Sequence, residues 1–167
     1  MNHMNRLILI VMMSSTILLS CTYGTKNLNS DIVKNLKEGT TTKYDVAEYL
    51  GPIELVRENL QNISFKDELV LSQLFDEITK KCCSGKFANV ANEGLIKARF
   101  MLKQLNLNEG VYSLWAYYRK FDTEDWLWPL PDTRNVNVLI VIFNAKNIVE
   151  KKIFIEDNQA YWWFVNF

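Results

Sequence analysis

The chain has 167 residues, 49% of them hydrophobic and 23% charged, which is enough for one domain with a sizeable core and little more. Lys plus Arg and Asp plus Glu both number 19, so the net charge is zero, and without a basic run there is nothing to meet clustered phosphates; no nucleic-acid partner is expected. Three prolines and six glycines rule against a disordered or fibrous chain. The one histidine, His3, falls in a segment expected to be removed, which leaves no imidazole for Ser-His-Asp or Cys-His catalysis or for a His-ligated metal.

Residues 1–20 read as a lipoprotein signal peptide. Arg6 supplies a positive start, residues 7–13 form an unbroken apolar run, and Ile17, Leu18 and Leu19 follow a Ser-Ser-Thr break. The run is shorter than the roughly 20 apolar residues a spanning helix needs. Its end, Leu18-Leu19-Ser20-Cys21, resembles a bacterial lipobox, in which a small residue admits the peptidase and the Cys thiol accepts a diacylglyceryl group. Cys21 is therefore the expected lipid attachment site, and the lipid of the outer membrane the expected anchor. Residue 22 is Thr rather than an inner-membrane-retention Asp, so the expected location is the bacterial outer membrane, facing the periplasm. Residues 21–30 read as the lipidated Cys and a short polar tether, and residues 31–167 as a single domain.

In that domain Ser30 is positioned to cap a helix over 31–38, with Ile32, Val33 and Leu36 on one side, and Gly39 suits the left-handed residue that ends it. Thr42 opens a second helix through a near capping box, Thr42-Lys43-Tyr44-Asp45, with Val46, Tyr49 and Leu50 as its apolar stripe and Gly51-Pro52 as its stop. Residues 53–63 are ambiguous. A third helix fits 66–81, capped by Ser64, with Leu71, Leu74, Phe75 and Ile78 at i, i+3, i+4, i+7. A fourth fits 93–105, capped by Asn92, with Leu95, Ala98, Leu102 and Leu105 along one side. Both helices carry stripes that must be covered, which predicts an ordered antiparallel pair joined by a short connection. Cys82 and Cys83, between them, are adjacent; the spacing is neither a redox CxxC nor a zinc knuckle, and it suits one buried and one exposed residue, with a disulfide in an oxidising compartment as the alternative.

After Gly110 the texture changes. All five Trp and 14 of the 21 aromatic residues lie beyond it. Residues 111–121 predict a strand, 122–135 a loop holding Trp126 and Trp128, 136–143 a second strand, 144–147 a hairpin turn with Asn147 at positive φ, and 148–155 its partner. Residues 161–167 add a last short strand. The order of elements predicts an α+β fold: two short helices on a three-stranded antiparallel sheet, four-stranded with the last segment, and two extra helices inserted before the sheet within 53–110.

Those residues in order resemble the SmpA/OmlA/BamE family of small outer-membrane lipoproteins. The resemblance runs through Ile32, Gly39, Thr42, Val46, Leu50, Gly51 and Pro52 in the helix pair, Trp115, Tyr117, Arg119 and Lys120 in the first strand, and Phe143, Asn144, Asn147, Ile148 and Val149 in the hairpin. The sequence departs from the pattern by one extra residue between Gly39 and Thr42, by Pro52 directly after Gly51, by Asn147 in place of the turn glycine, and by the insertion. The resemblance implies a non-catalytic, lipid-anchored accessory factor of β-barrel assembly and envelope integrity. Its implied partners are other envelope proteins, the β-barrel assembly complex among them, and it implies neither a cofactor nor a small-molecule substrate. The alternative is a binding or inhibitor module of the β-lactamase-inhibitor-like fold, acting on another periplasmic protein. The end of the first strand, Arg119 and Lys120, is the implied partner or lipid contact. Trp126 and Trp128 fit either a loop folded onto the sheet or an exposed anchor. Trp115 and Tyr117 fit the core. A thiol-dependent enzyme built on Cys82 or Cys83 is the remaining reading, since nothing else pairs a nucleophile with a base.

Overall fold

The computed structural model describes residues 21–24, 28–83, 85–87, 90–123 and 132–161. Among these residues four α-helices and an antiparallel sheet make an α+β fold. The helices are α1 (Ser30–Asn35), α2 (Lys43–Leu50), α3 (Glu68–Cys82) and α4 (Asn92–Lys103); the strands are β1 (Cys21–Gly24), β2 (Leu55–Gln61), β3 (Val111–Thr123), β4 (Asp132–Phe143) and β5 (Val149–Tyr161).

The long strands β3, β4 and β5 pair in sequence order. Along the other side of β3 lie two short strands end to end: β2 against residues 111–116 and β1 against residues 119–122. The ambiguous stretch after Pro52 is thus a strand, and the segment expected to be a tether begins as one. β3 accounts for both. Its 13 residues outrun β2, and the open backbone left beyond is paired by Cys21–Gly24.

Side chains alternate across each strand, so β3, β4 and β5 each feed two cores. On one face α1 and α2 cover Trp115, Tyr117, Leu139, Val141, Phe143 and Val149, with Leu28, Val33, Leu36, Val46 and Leu50 completing the cluster. On the other, α3 and α4 cover Leu114, Ala116, Val136, Val138, Ile140, Ile142, Ile153 and Ile155. The helices α3 and α4 therefore close the second face of a sheet whose first face α1 and α2 already occupy. Each large apolar side chain so buried contributes roughly 1.5–3 kcal/mol. Glu68 in the first turn of α3 meets Arg99 and, at 2.9 Å, Lys103 in the last turns of α4, so the two helices run antiparallel.

Helix ends differ from expectation where long-range partners decide them. Asn29, not Ser30, caps α1, its Oδ1 accepting from the Ile32 N–H at 2.9 Å. α1 also stops early, at Asn35. Gly39 takes its positive φ of 79° in the following turn, from which its N–H reaches the Val149 carbonyl on β5 at 2.8 Å. The capping box at Thr42 and Asp45 forms in full. Asp67, not Ser64, caps α3. α4 begins after Ala91, whose left-handed backbone offers no side-chain cap; instead the Ala91 N–H donates to Asp157 Oδ2 on β5 at 2.7 Å. Asn147 has the expected positive φ, and Asn144 Oδ1 closes the hairpin by accepting from Lys146 and Ile148. β3 and β4 run into the stretch expected to be a loop, and β5 extends to Tyr161 through the start of the expected last strand; residues 162–167 lie outside the described residues.

Cys82 and Cys83 are both buried and form a vicinal disulfide at the end of α3. The expectation of one buried and one exposed cysteine is overturned: Phe87, Val90 and Ala91 join both to the core cluster beneath α3 and α4.

Candidate functional site

The sheet is longer than the helices that cover its α1/α2 face. Tyr117, Leu139 and Phe154 form the last register row against that core, and Tyr117 is fully buried. The next row is Arg119, Asn137 and Glu156; the one after is Phe121, Asn135 and Asn158. These six residues line a cleft of about 200 Å³ together with Asp157, whose carboxylate is turned away to the Ala91 N–H. β1 continues both rows at the backbone, with Gly24 opposite Arg119 and Thr22 opposite Phe121, and Cys21 is opposite Asp122.

The polar groups of the cleft are sparsely paired. Asn137 Nδ2 donates to the Leu28 carbonyl at 3.1 Å, which fixes the chain entering α1 against the sheet. Arg119 Nε and Asn135 Oδ1 are buried with no hydrogen-bond partner among the described residues, and so is the Tyr117 hydroxyl one row inward. Burial pushes the Tyr117 phenol well above the usual tyrosine range, so it stays protonated and able to donate.

The strand period separates two residues that the sequence put together. Arg119 lines the cleft; Lys120 points to the α3/α4 face, with its Nζ 5.3 Å from the ring centre of Tyr118 and 5.7 Å from that of Phe87. Burial lowers the Lys120 pKa, and Glu54 offsets only part of that. A single basic contact made of both residues is therefore not what the geometry offers: Arg119 is available on one face, and Lys120 is packed on the other. The same alternation parts the carboxylates of Glu156, in the cleft, and Asp157, on Ala91. Trp126 and Trp128 lie outside the described residues. Trp115 and Tyr117 are core residues of the α1/α2 face, and Trp115 packs edge-on against Phe143 at 5.0 Å between ring centres. Cys82 and Cys83, sealed in the core, present no accessible thiolate.

Sequence reasoning missed Phe121, Asn135, Asn137, Glu156 and Asn158. The signal was the run Asn135-Val136-Asn137-Val138, whose strict alternation marks a strand with one polar and one apolar face. No protein-family model, curated protein or solved structure matches this chain.

Proposed function

We propose that the protein is a lipid-anchored, non-catalytic lipoprotein of the bacterial outer membrane, facing the periplasm, which presents its surface to other envelope proteins in the manner of accessory factors of β-barrel assembly. The observation that carries the reading is the lipobox-like Leu18-Leu19-Ser20-Cys21 behind an apolar run, with Cys21 as the first residue of β1. An acyl chain on Cys21 would then join the sheet without an intervening tether. The sheet end bearing Asp122 would be held against the bilayer, and its opposite end, with the 144–147 hairpin, would face the periplasm. One acyl chain alone binds marginally, and the several carried by a mature lipoprotein Cys hold firmly.

Metabolic labelling with a palmitate analogue tests the anchor: label is expected on the wild-type chain and none on Cys21→Ser, and label persisting on the variant overturns the reading. A photo-crosslinker at Tyr44, an exposed residue on α2, tests the partner class. Crosslinks to components of the β-barrel assembly complex in cells are expected. Their absence, with the anchor intact, overturns the accessory role and leaves the anchor standing.

A further inference from the structure

Buried polar atoms without partners are rare, and each asks what satisfies it. Two of them, Arg119 Nε and Asn135 Oδ1, belong to the lining of one cleft at the end of the sheet that bears Asp122. Among the described residues, the side chains of Arg119, Asn135, Glu156 and Asn158 make no hydrogen bond or ion pair. Asn137 has committed its amide N–H to Leu28, which leaves its Oδ1 as an acceptor. The site therefore offers a guanidinium and the Asn158 amide as donors, three acceptors in Glu156, Asn135 and Asn137, and the ring of Phe121 as an apolar surface, all on three adjacent strands of a rigid sheet.

The charge pattern selects the ligand class. Arg119 and Glu156 stand in one register row with Asn137 between them, and the other carboxylate at the cleft, Asp157, is turned to the Ala91 N–H on the opposite face, so the side chains that face the cleft balance in charge. An anion that gained from Arg119 would be repelled by Glu156, and a cation that gained from Glu156 would be repelled by Arg119. A hydroxyl both donates and accepts, so a ring of adjacent hydroxyls can serve guanidinium, carboxylate and amides at once. Planar side chains of these three kinds each span two neighbouring hydroxyls, and the C–H face of the same ring can lie on Phe121. At about 200 Å³ the cleft has the volume of six or seven water molecules at about 30 Å³ each, which suits one small ring rather than an extended chain.

We propose that this cleft binds a neutral sugar ring. The ring can come from a soluble glycan or from the head of a glycolipid. The second source has geometry in its favour, because Thr22 is opposite Phe121 in the register and the cleft is thus next to Cys21. Sugar binding does not depend on that source or on acylation of Cys21.

The test uses the full chain in a detergent without a sugar head, labelled with ¹⁵N. The probes are N-acetylglucosamine, methyl glucoside and methyl galactoside in solution, and phosphatidylcholine vesicles with or without a monogalactosyl diglyceride. The side-chain amide signals of Asn135, Asn137 and Asn158 and the Arg119 Nε–H are expected to shift, with a Kd on the order of 1 mM for a single ring. Glu156→Gln and Asn158→Ala change exposed positions on β5, so the backbone spectrum should stay that of the wild type, and each should weaken binding about tenfold. Shifts with soluble sugars assign the site to glycans, and shifts with the galactolipid vesicles alone assign it to a headgroup. No shift with any sugar at tens of millimolar, equal shifts in the two variants, or a response to inorganic phosphate in place of every sugar overturns the proposal. Asn135→Leu gives an independent reading: removal of the unpaired buried amide should abolish binding without lowering the melting temperature. A melting temperature that falls would make Asn135 a structural residue and sink its role in the cleft.

Discussion

The two faces of the sheet are built from the same strands and have opposite ends. Under α3 and α4 the apolar row of β4 runs from Ile142 back to Val136: Val136, Val138, Ile140 and Ile142 are all fully buried, and Phe87, Val90 and Ala91 extend the cover past the helices proper. Under α1 and α2 the cover stops at Leu139, and Asn137 and Asn135 follow. A shift of one residue along β4 thus moves from a closed core to a polar shelf. The helices α3 and α4 complete the fold on one face, while among the described residues the helix pair α1 and α2 leaves the end of the other face to polar side chains. Alternation lets a single strand serve stability and recognition at once, because a core residue and a cleft residue need only be neighbours.

The comparison is tested most severely at Leu139 and Ile140. They are adjacent, both fully buried, and face the α1/α2 and the α3/α4 core respectively. Leu139→Ala and Ile140→Ala should each cost roughly 2–5 kcal/mol in chemical denaturation of the full chain. If both faces are true cores, the two losses agree within about a factor of two. A loss well under 1 kcal/mol at either position would show that the helices over that face are not packed on it.

How much of this was legible follows from where each signal sits. The stripes of α3 and α4 and the strand ending at Phe143 could be read because burial repeats at the helical or strand period, and all four stripe residues of α3 are buried. The capping box of α2 could be read because its two bonds span three residues. The start of α4 could not, since Ala91 offers no side-chain cap and its N–H finds an acceptor only in Asp157, 66 residues away. The first four residues of β4, 132–135, were hidden because they are all polar, and Asn135 looks like a turn residue when no core demands that it point inward. β1 was hidden for a related reason: four residues have too few periods to show alternation, and their pairing depends on how far β3 outruns β2. The cleft inherits both failures, being made of the polar ends of three strands that meet only through register.

A smaller effect is expected where α4 touches β5. Gly94 lies in the first turn of α4, and a Cβ there would overlap Cγ2 of Ile155, which is itself buried. In an isolated helix Gly→Ala would gain up to about 1 kcal/mol. Here the close approach reverses the sign, and Gly94→Ala should lose about 1–3 kcal/mol as Ile155 and its neighbours shift. A thermal melt decides between them. An unchanged or raised midpoint would mean that α4 stands further from the sheet than the packing indicates, and that the α3/α4 face is less tightly closed than the other.

The smallest effect concerns the fastening of α1 to β5, the last strand of the sheet among the described residues. Lys151 and Lys152 on β5 hold the helix connection against that strand. Lys152 Nζ donates to the carbonyls of Val33 and Leu36 at the C-terminal end of α1, where a cation also favours the helix dipole. Lys151 Nζ meets Glu38 Oε2 at 2.7 Å, and the Lys152 backbone N–H donates to Glu38 Oε1. Partial burial pulls the Glu38 pKa upward, but the Lys151 hydrogen bond, the Lys152 N–H and both lysine charges outweigh it, so the carboxyl sits below its usual range. A folded-state pKa below the unfolded one gives stability that is present above the ordinary Glu value of about 4.3 and is lost as the pH falls through the lower folded value. Lys151, raised first by its hydrogen bond to Glu38, gives the matching loss at the alkaline end, as the pH climbs through its folded pKa. Both side chains are more than a third exposed, so the pair contributes at most about 0.2–1 kcal/mol in the plateau between. Glu38→Gln should therefore cost a few tenths of a kcal/mol at neutral pH, less in high salt, and nothing once the wild-type carboxyl is protonated. A penalty that persists unchanged at pH 3 would mean that Glu38 acts through its shape and its acceptor oxygens rather than its charge, and that the edge is held by Lys152 on the α1 carbonyls alone.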